Sequence, residues 1–242
     1  MTGRGPPVDE QSRVSRVYSH YRTSARRQRS WRADNPGNVA IRAELAEAVL
    51  SLAGPELRSR RPLLDIGCGS GWWLELLAAR SAVGAPVHGL ELLPERARAA
   101  RERVPEAAVD VGDARALPYE SDGFAVVTMF TVLSSMATRD DAERALREAA
   151  RVLHPDGALV IWEPRIPNPL NRSTLLIDRR LLDGALDGMS AQSRSITLLP
   201  AIARRLGSRA PGLYGPLAAL RPLRSHRLVC ARPSGARRTC VI

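Results

Sequence analysis

The sequence predicts an α/β fold: a doubly wound, mostly parallel sheet with helices on both faces. Three observations carry that prediction. The apolar run Leu63-Leu64-Asp65-Ile66 leads through Gly67-Cys68-Gly69-Ser70-Gly71 into Trp72-Trp73-Leu74-Glu75-Leu76-Leu77, which has helical spacing. A strand, a glycine turn and a helix make the first half of a βαβ unit. A second apolar run, Pro86-Val87-His88-Gly89-Leu90, ends on Glu91. A third, residues 124–130, is continuous and apolar, as a central parallel strand should be.

Residues 1–12 and 233–242 are rich in Pro, Gly and polar side chains and are expected to be disordered around a single domain, 13–232. Over 12–31, Val14, Val17, Tyr18 and Tyr21 fall at helical spacing against an arginine-rich face. Asp34-Asn35-Pro36-Gly37-Asn38 is a dense turn signal. Asn38 is placed to cap a helix over 39–52 that turns Ile41, Leu45, Ala48 and Val49 inward. A short strand is expected within 104–111, then the loop Gly112-Asp113-Ala114-Arg115.

The strand over 124–130 ends at Thr131-Val132-Leu133-Ser134-Ser135, at the sheet end where ligands of open α/β sheets bind. Asp140-Asp141 are expected to cap a helix running to about Val152. Arg151 to Gly157 then turns into a strand over 158–162 that ends at Glu163. His154 reads as a solvent-facing turn residue and His88 as a packed one. Residues 175–186 are amphipathic, and 195–199 and 226–230 read as strands with an insertion, 200–225, between them.

The glycines carry the first chemical signal, because they let the chain turn sharply and approach a ligand. Glu91, twenty residues after Gly71, is placed to accept from the two hydroxyls of a ribose. The third glycine comes one position too early for G-x-G-x-x-G, which would need glycine where Trp72 stands. A pyrophosphate sits close against the helix N-terminus, and an indole there crowds it. A ligand with ribose and adenine but no phosphate fits better. On these residues the stretch resembles the class I S-adenosyl-L-methionine (SAM)-dependent methyltransferases, whose first motif has the form D-x-G-x-G-x-G. Trp31-Arg32, Asn35-Pro36-Gly37-Asn38, the mouth from Phe130 to Ser135 and Asn168-Pro169 are loosely similar to small bacterial methyltransferases of biosynthetic gene clusters.

The resemblance implies SAM as cofactor and a seven-stranded Rossmann-like sheet with an antiparallel closing strand, built here from 195–199 and 226–230. It also implies an N-terminal helical lid (13–61), a SAM-binding core (62–163) and substrate-side elements (164–232). The implied cofactor contacts are Asp65, Gly67, Cys68, Gly69, Gly71, Glu91, Leu92 and Phe130. Asp113 would accept the adenine amino group while the backbone N–H of Ala114 meets a ring nitrogen, since a buried adenine edge needs an acceptor and a donor; the other reading of Asp113 is a turn residue. Tyr18, Tyr21 and Trp31 either face the cofactor from the lid or only dock its helix. The acid/Asn-Pro-Pro-aromatic segment of the branches that methylate adenine or glutamine is missing after Phe130, which speaks against such acceptors.

Methyl transfer from a sulfonium is an in-line displacement, so the enzyme mainly positions the nucleophile and excludes water. A phenol, alcohol or amine acceptor can need a base. The candidates are His20, Glu163 and His226, with His20 first. Glu163 reads alternatively as an orienting group or as a carboxylate paired with Arg165. No serine nucleophile elbow and no three-cysteine cluster appears. Cys68, Cys230 and Cys240 have neither metal-ligand spacing nor an even count, so no metal and a reduced, cytoplasmic protein are expected. No run of eighteen apolar residues is present.

The net charge of +11 is segregated. Residues 1–61 carry +6, residues 62–160 carry −5 and residues 161–242 carry +10, with arginine as the only basic side chain besides histidine. Basic flanks around an acidic middle either meet an anionic partner or are solvated faces. The leading expectation is methyl transfer to a small-molecule acceptor, oxygen before nitrogen or carbon, in bacterial specialised metabolism. The alternatives are an anionic lipid-linked or glycan acceptor and an arginine-rich nucleic-acid-binding protein, the latter disfavoured. The insertion reads as a substrate lid, as a segment touching lipid headgroups, or as a helical hairpin packed on the core. A peripheral membrane contact and a homo-oligomer both stay open.

Overall fold

The computed structural model describes residues 10–22, 32–167 and 174–235, without the side chains of 17–22. Seven strands form one sheet: β1 Leu63–Ile66, β2 Val87–Glu91, β3 Ala108–Val111, β4 Phe124–Phe130, β5 Leu153–Pro164, β6 Met189–Leu198 and β7 Arg224–Pro233. Their order is β3-β2-β1-β4-β5-β7-β6. Strands β1 to β5 run parallel, and β7 is antiparallel to both β5 and β6. This is the mostly parallel sheet with one reversed closing strand that the sequence predicts. The winding changes direction between β1 and β4. Ligands of open α/β sheets bind at such a point, outside the carboxyl ends of the strands.

The helices are α1 Glu10–Arg22, α2 Pro36–Leu57, α3 Trp72–Arg80, α4 Pro94–Arg103, α5 Arg139–Val152, α6 Arg179–Ala185, α7 Pro200–Ala203 and α8 Ala210–Ala219. Side chains of one strand alternate between the two faces of the sheet. Val126 and Val160 pack with Leu45, Val49, Trp73 and Leu77 of α2 and α3. Val127, Met129 and Ile161 pack on the other face with Leu146 of α5 and Leu181 of α6.

Several boundaries differ from the sequence expectation, each for a local reason. Asn35, not Asn38, caps α2: its side chain accepts from Gly37 N and Asn38 N, and Pro36 supplies a first helical residue that needs no donor. Asn38 is buried instead, and its amide donates to Arg32 O. The helix also runs on to Leu57, with Ala53 leaving helical geometry (φ −116°) just before Pro55. Thr138 caps α5 by accepting from Asp141 N, which leaves Asp140 and Asp141 in the first turn, where negative charge is favourable. Only 179–185 of the amphipathic stretch 175–186 is helical, because Asp178 caps there by accepting from Leu181 N. The strand expected within 104–111 narrows to β3, and the closing strands extend well beyond 195–199 and 226–230. His154, expected in a solvent-facing turn, lies instead within β5, half-buried in the irregular stretch between Leu153 and Ala158, its Nδ1 accepting from Asp156 N. His88 is packed against the rings of Tyr119 and Phe124.

The insertion packs on the N-terminal half of α2. Ala203, Tyr214 and Ala218 join Ile41 and Leu198 in a third, smaller core. A Cβ on Gly37 would lie 2.1 Å from the Ala203 carbonyl oxygen, so only glycine lets α2 and α7 come this close. The Tyr214 hydroxyl donates to Glu44 Oε2 at 2.7 Å, and Thr197 N donates to the same oxygen at 2.9 Å. Residues 23–31, 168–173 and 236–242, which include Trp31, Asn168 and Cys240, lie outside the described residues.

Candidate active site

The glycine turn after β1 is a fitted cradle. Gly67 (φ 72°), Gly69 (φ 59°) and Gly71 (φ 82°) all adopt the left-handed conformation that disfavours side chains. A Cβ on Gly67 would stand 2.5 Å from Val132 Cγ2, in the mouth segment after β4. Gly67 N and Cys68 N both donate to Leu90 O, so the turn is tied to β2. Cys68 is buried, and that burial pushes its thiol up, against reactivity. Trp72 opens α3, with its ring centre 5.1 Å from the Arg42 guanidinium carbon.

Two acids organise the strand ends around this cradle. Asp65 is buried and accepts from the Thr128 hydroxyl at 2.7 Å. Burial raises its carboxyl to about 7, against the opposing pull of Thr128 and with a further push from the Glu91 charge. Glu91 is buried at the end of β2, where Oε2 accepts from Gly69 N at 2.8 Å and Oε1 from Leu93 N at 3.0 Å. Each oxygen keeps lone-pair capacity beyond that bond, and both are fixed in direction. The Arg96 guanidinium lies 3.9 Å from Oε2 and reaches over Gly69. Leu92, beside Glu91, is half-buried.

Asp113 and Ala114 are half-buried in the loop after β3. Burial raises the Asp113 carboxyl, but Arg115 outweighs it and holds it below the usual range: backbone N, Nε and Nη2 of Arg115 all donate to Asp113. Arg115 Nη1 donates on to Asp141 at 2.7 Å. Sequence reading did not foresee that fork, which ties the loop to the start of α5.

The mouth after β4 is clamped from two sides. Thr131 has φ 57°, an uncommon strain for a β-branched residue, and Ser135 Oγ donates to its carbonyl at 2.8 Å. Below it, the buried Glu163 accepts from Leu133 N at 2.8 Å and Ser134 N at 3.2 Å. Burial lifts Glu163 to about 7, against the donors of Ser134, Leu133 and Val132. Above it, α1 docks through Arg13, whose guanidinium donates to Ser135 O and pairs with Glu10. The expected Glu163–Arg165 pair does not form. Arg165, just past the end of β5, donates to the carbonyls of Arg224 and Arg221, while the buried Glu163 is engaged by Leu133 N and Ser134 N.

An aromatic wall continues from the cradle. Phe130 lies 5.0 Å from Trp73 and 6.2 Å from Trp162, ring centre to ring centre, and Trp162 stacks on His226 at 4.3 Å. Trp162 Nε1 donates to Thr197 Oγ1 at 3.1 Å. His226 is buried and shares a 2.8 Å hydrogen bond with Ser225 through Nδ1. Burial, then the nearby Arg204 charge, pushes its pKa down to about 3. The structure therefore brings Asp65, the glycines, Cys68, Glu91, Leu92, Asp113, Ala114 and Phe130 to one end of the sheet, with Glu163 and His226 alongside. Tyr18, His20 and Tyr21 belong to α1, but their side chains lie outside the described part. Thr128 was legible as the only polar residue in an apolar strand; Trp162, Thr197 and Glu44 carry no signal short of the fold.

Residues 64–161 match the family described as "Methyltransferase domain". A dTDP-4-amino-2,3,4,6-tetradeoxy-D-glucose N,N-dimethyltransferase of Saccharopolyspora spinosa is 37% identical over 50% of this chain and 49% of its own length. A dTDP-3-amino-3,4,6-trideoxy-alpha-D-glucopyranose N,N-dimethyltransferase of Streptomyces venezuelae is 34% identical over 45% of this chain and 47% of its own. The chain spans from about a third to about half the length of the first curated relatives it matches. In fold it is similar to a geranyl diphosphate C-methyltransferase from Streptomyces coelicolor A3(2), crystallised with Mg2+, geranyl diphosphate and S-adenosyl-L-homocysteine. The TM-score is 0.69 at 14% identity, covering 94% of this chain and 100% of that one. Over residues 64–161 the chain is thus similar in sequence to methyltransferase domains, and over most of its length it is similar in fold to a methyltransferase.

Proposed function

We propose that the chain transfers a methyl group from SAM to a small-molecule acceptor in bacterial specialised metabolism. The observation that carries this reading is the buried Glu91 carboxylate, fixed by Gly69 N and Leu93 N beside the glycine cradle of Gly67, Gly69 and Gly71. Bound SAM supplies an electrophilic methyl on a sulfonium, with a neutral thioether as leaving group. Glu91 would hold the ribose hydroxyls, Asp113 and Ala114 the adenine edge, and Asp65, Gly67 and Gly69 the cradle. Leu92 and Phe130 would pack against the cofactor, and Tyr18 and Tyr21 would reach it from α1. The aromatic wall of Phe130, Trp162 and His226 would shape the acceptor pocket and keep water from it.

Nitrogen is the acceptor atom this geometry favours over the oxygen expected from sequence. Glu163 is engaged by two backbone donors, and His226 is held neutral in its stack, so both serve as positioning groups. His20 is then the remaining candidate base. A neutral amine needs no base before it reacts, whereas an alcohol or phenol does. The N,N-dimethyltransferase relatives support the same reading. The test is calorimetry with SAM, followed by release of S-adenosyl-L-homocysteine with nucleotide-linked amino sugars and with phenols. Turnover of amines without phenols is expected. Failure to bind SAM, or uptake of NAD in its place, would overturn the proposal.

A further inference from the structure

The segment that carries the insertion and its two flanking strands has an unusual composition. Residues 188–235 contain eight arginines and no Asp or Glu, although at the chain-wide share of 25 acids in 242 residues about five would fall there. The inward face of α8 is Ala210, Tyr214 and Ala218, packed on α2. Arg209, Leu213, Pro216 and Leu220 recur at i, i+4, i+7 and i+11, which places them along one outward flank of the helix. All four are exposed, Leu213 by 44% and Leu220 by 53%. Apart from Ser208, the other exposed residues of 200–224 are Ala201, Arg205, Pro211, Gly212, Gly215, Ala219, Arg221 and Pro222. Among the described residues, Arg205, Arg209 and Arg221 form no side-chain ion pair.

We propose that this flank docks on an anionic lipid surface, with Leu213 and Leu220 entering the headgroup layer and Arg205, Arg209 and Arg221 meeting the lipid phosphates. An ordinary solvated helix mixes both signs of charge, and an isolated exposed leucine needs no explanation. Here exposed leucines at helical spacing fall in sequence between Arg209 and Arg221, and the segment itself supplies no carboxylate to repel an anion, the pattern of an interfacial segment. A nucleic-acid surface would instead interleave its arginines with aromatic platforms or polar readers, and the exposed residues here are Ala, Gly, Pro and Leu. No described helix is long and apolar enough to cross a membrane, so the contact is peripheral.

The full chain is to be sedimented with phosphatidylcholine vesicles with and without phosphatidylglycerol, at physiological ionic strength. Binding only to the phosphatidylglycerol vesicles is expected. Leu213→Ser with Leu220→Ser should weaken it on the order of tenfold. Arg205→Ser, Arg209→Ser and Arg221→Ser should each weaken it about fivefold, the worth of one basic residue at such a surface. Affinity for S-adenosyl-L-homocysteine, measured on the same samples, should not move in any variant, which separates this proposal from the cofactor reading. Absent binding, or equal binding to both vesicle types, would overturn it. So would leucine variants that bind vesicles normally while the arginine variants lose affinity for RNA. A dimer that the leucine variants turn into a monomer, without change in vesicle affinity, would assign the flank to a second copy instead.

Discussion

The Glu163 carboxylate accepts the backbone N–H of Leu133 at 2.8 Å, so a side chain on β5 fixes the segment that follows β4. That segment starts from Thr131 in a strained conformation and would not hold its course unaided. Removing the carboxylate leaves two buried donors without an acceptor, each costing about 1–3 kcal/mol. Glu163→Ala should therefore lower unfolding free energy by about 3 kcal/mol in urea titrations, and Glu163→Gln, which keeps one acceptor oxygen, by about half of that. If Glu163 positions the mouth, kcat should fall in the alanine variant and recover largely in the glutamine variant, with SAM affinity unchanged. A glutamine variant as inactive as alanine yet fully stable would make Glu163 a proton carrier instead.

In the proposed reading, Glu91 and Asp113 hold the adenosine. Glu91→Ala and Asp113→Ala should each weaken SAM binding by about 1–3 kcal/mol, the worth of a buried polar partner. The two variants should differ in a second respect. Asp113→Ala also releases the Arg115 guanidinium, now shared between Asp113 and Asp141, and so should loosen the loop after β3. Amide exchange over 112–117 should rise in that variant and stay unchanged in Glu91→Ala. Calorimetry with unaltered affinity in both would refute the site.

The sheet was legible because its signals are local. The runs 63–66, 87–91 and 124–130 are apolar and bounded by glycine or polar turns, and they became strands where expected. The glycine turn and Glu91 were legible for the same reason, since the twenty-five residues from Gly67 to Glu91 contain both. Contacts between distant elements were not. Glu44 meets Thr197 across 153 residues, and Arg13 meets Ser135 across 122, and nothing in the local pattern of either residue points to its partner. Helix caps failed on a finer scale: Asn35 and Asn38 are both good capping residues, and the proline between them decides for the first. His226 read as a candidate base on its type; its stack on Trp162 and its burial, which lowers its pKa, had no signal in the sequence.

The insertion should be tied to the core through one oxygen. Glu44 Oε2 accepts from both the Tyr214 hydroxyl and Thr197 N, and Thr197 sits at φ 70° in β6. Tyr214→Phe removes one donor and should cost about 1 kcal/mol; Glu44→Ala orphans the buried backbone N–H as well and should cost about 2–4 kcal/mol. Limited proteolysis should cut within 200–224 faster in Glu44→Ala than in the parent chain. Equal stability of all three proteins would show that the small core of Ile41, Leu198, Ala203 and Ala218 holds the insertion without that carboxylate.

Asp65 should leave a signature in the pH dependence of stability. Burial lifts its carboxyl to about 7 in the folded chain, against about 3.9 when unfolded. Between those values the folded state keeps a proton that the unfolded state has lost. Stability from this group therefore falls as pH rises through that window, by at most about 1.4 kcal/mol per pH unit, and levels off above it. Glu163, also lifted to about 7, slopes the same way and remains in both proteins of the comparison. Asp65→Asn keeps an oxygen for the Thr128 hydroxyl but cannot ionise, so its own contribution to the slope disappears. Urea midpoints should show the asparagine variant gaining on the parent from about pH 4 to about pH 7, with a constant difference beyond. Two curves parallel across the whole range would mean that Asp65 stays ionised in the folded protein, held so by a cation near the cradle.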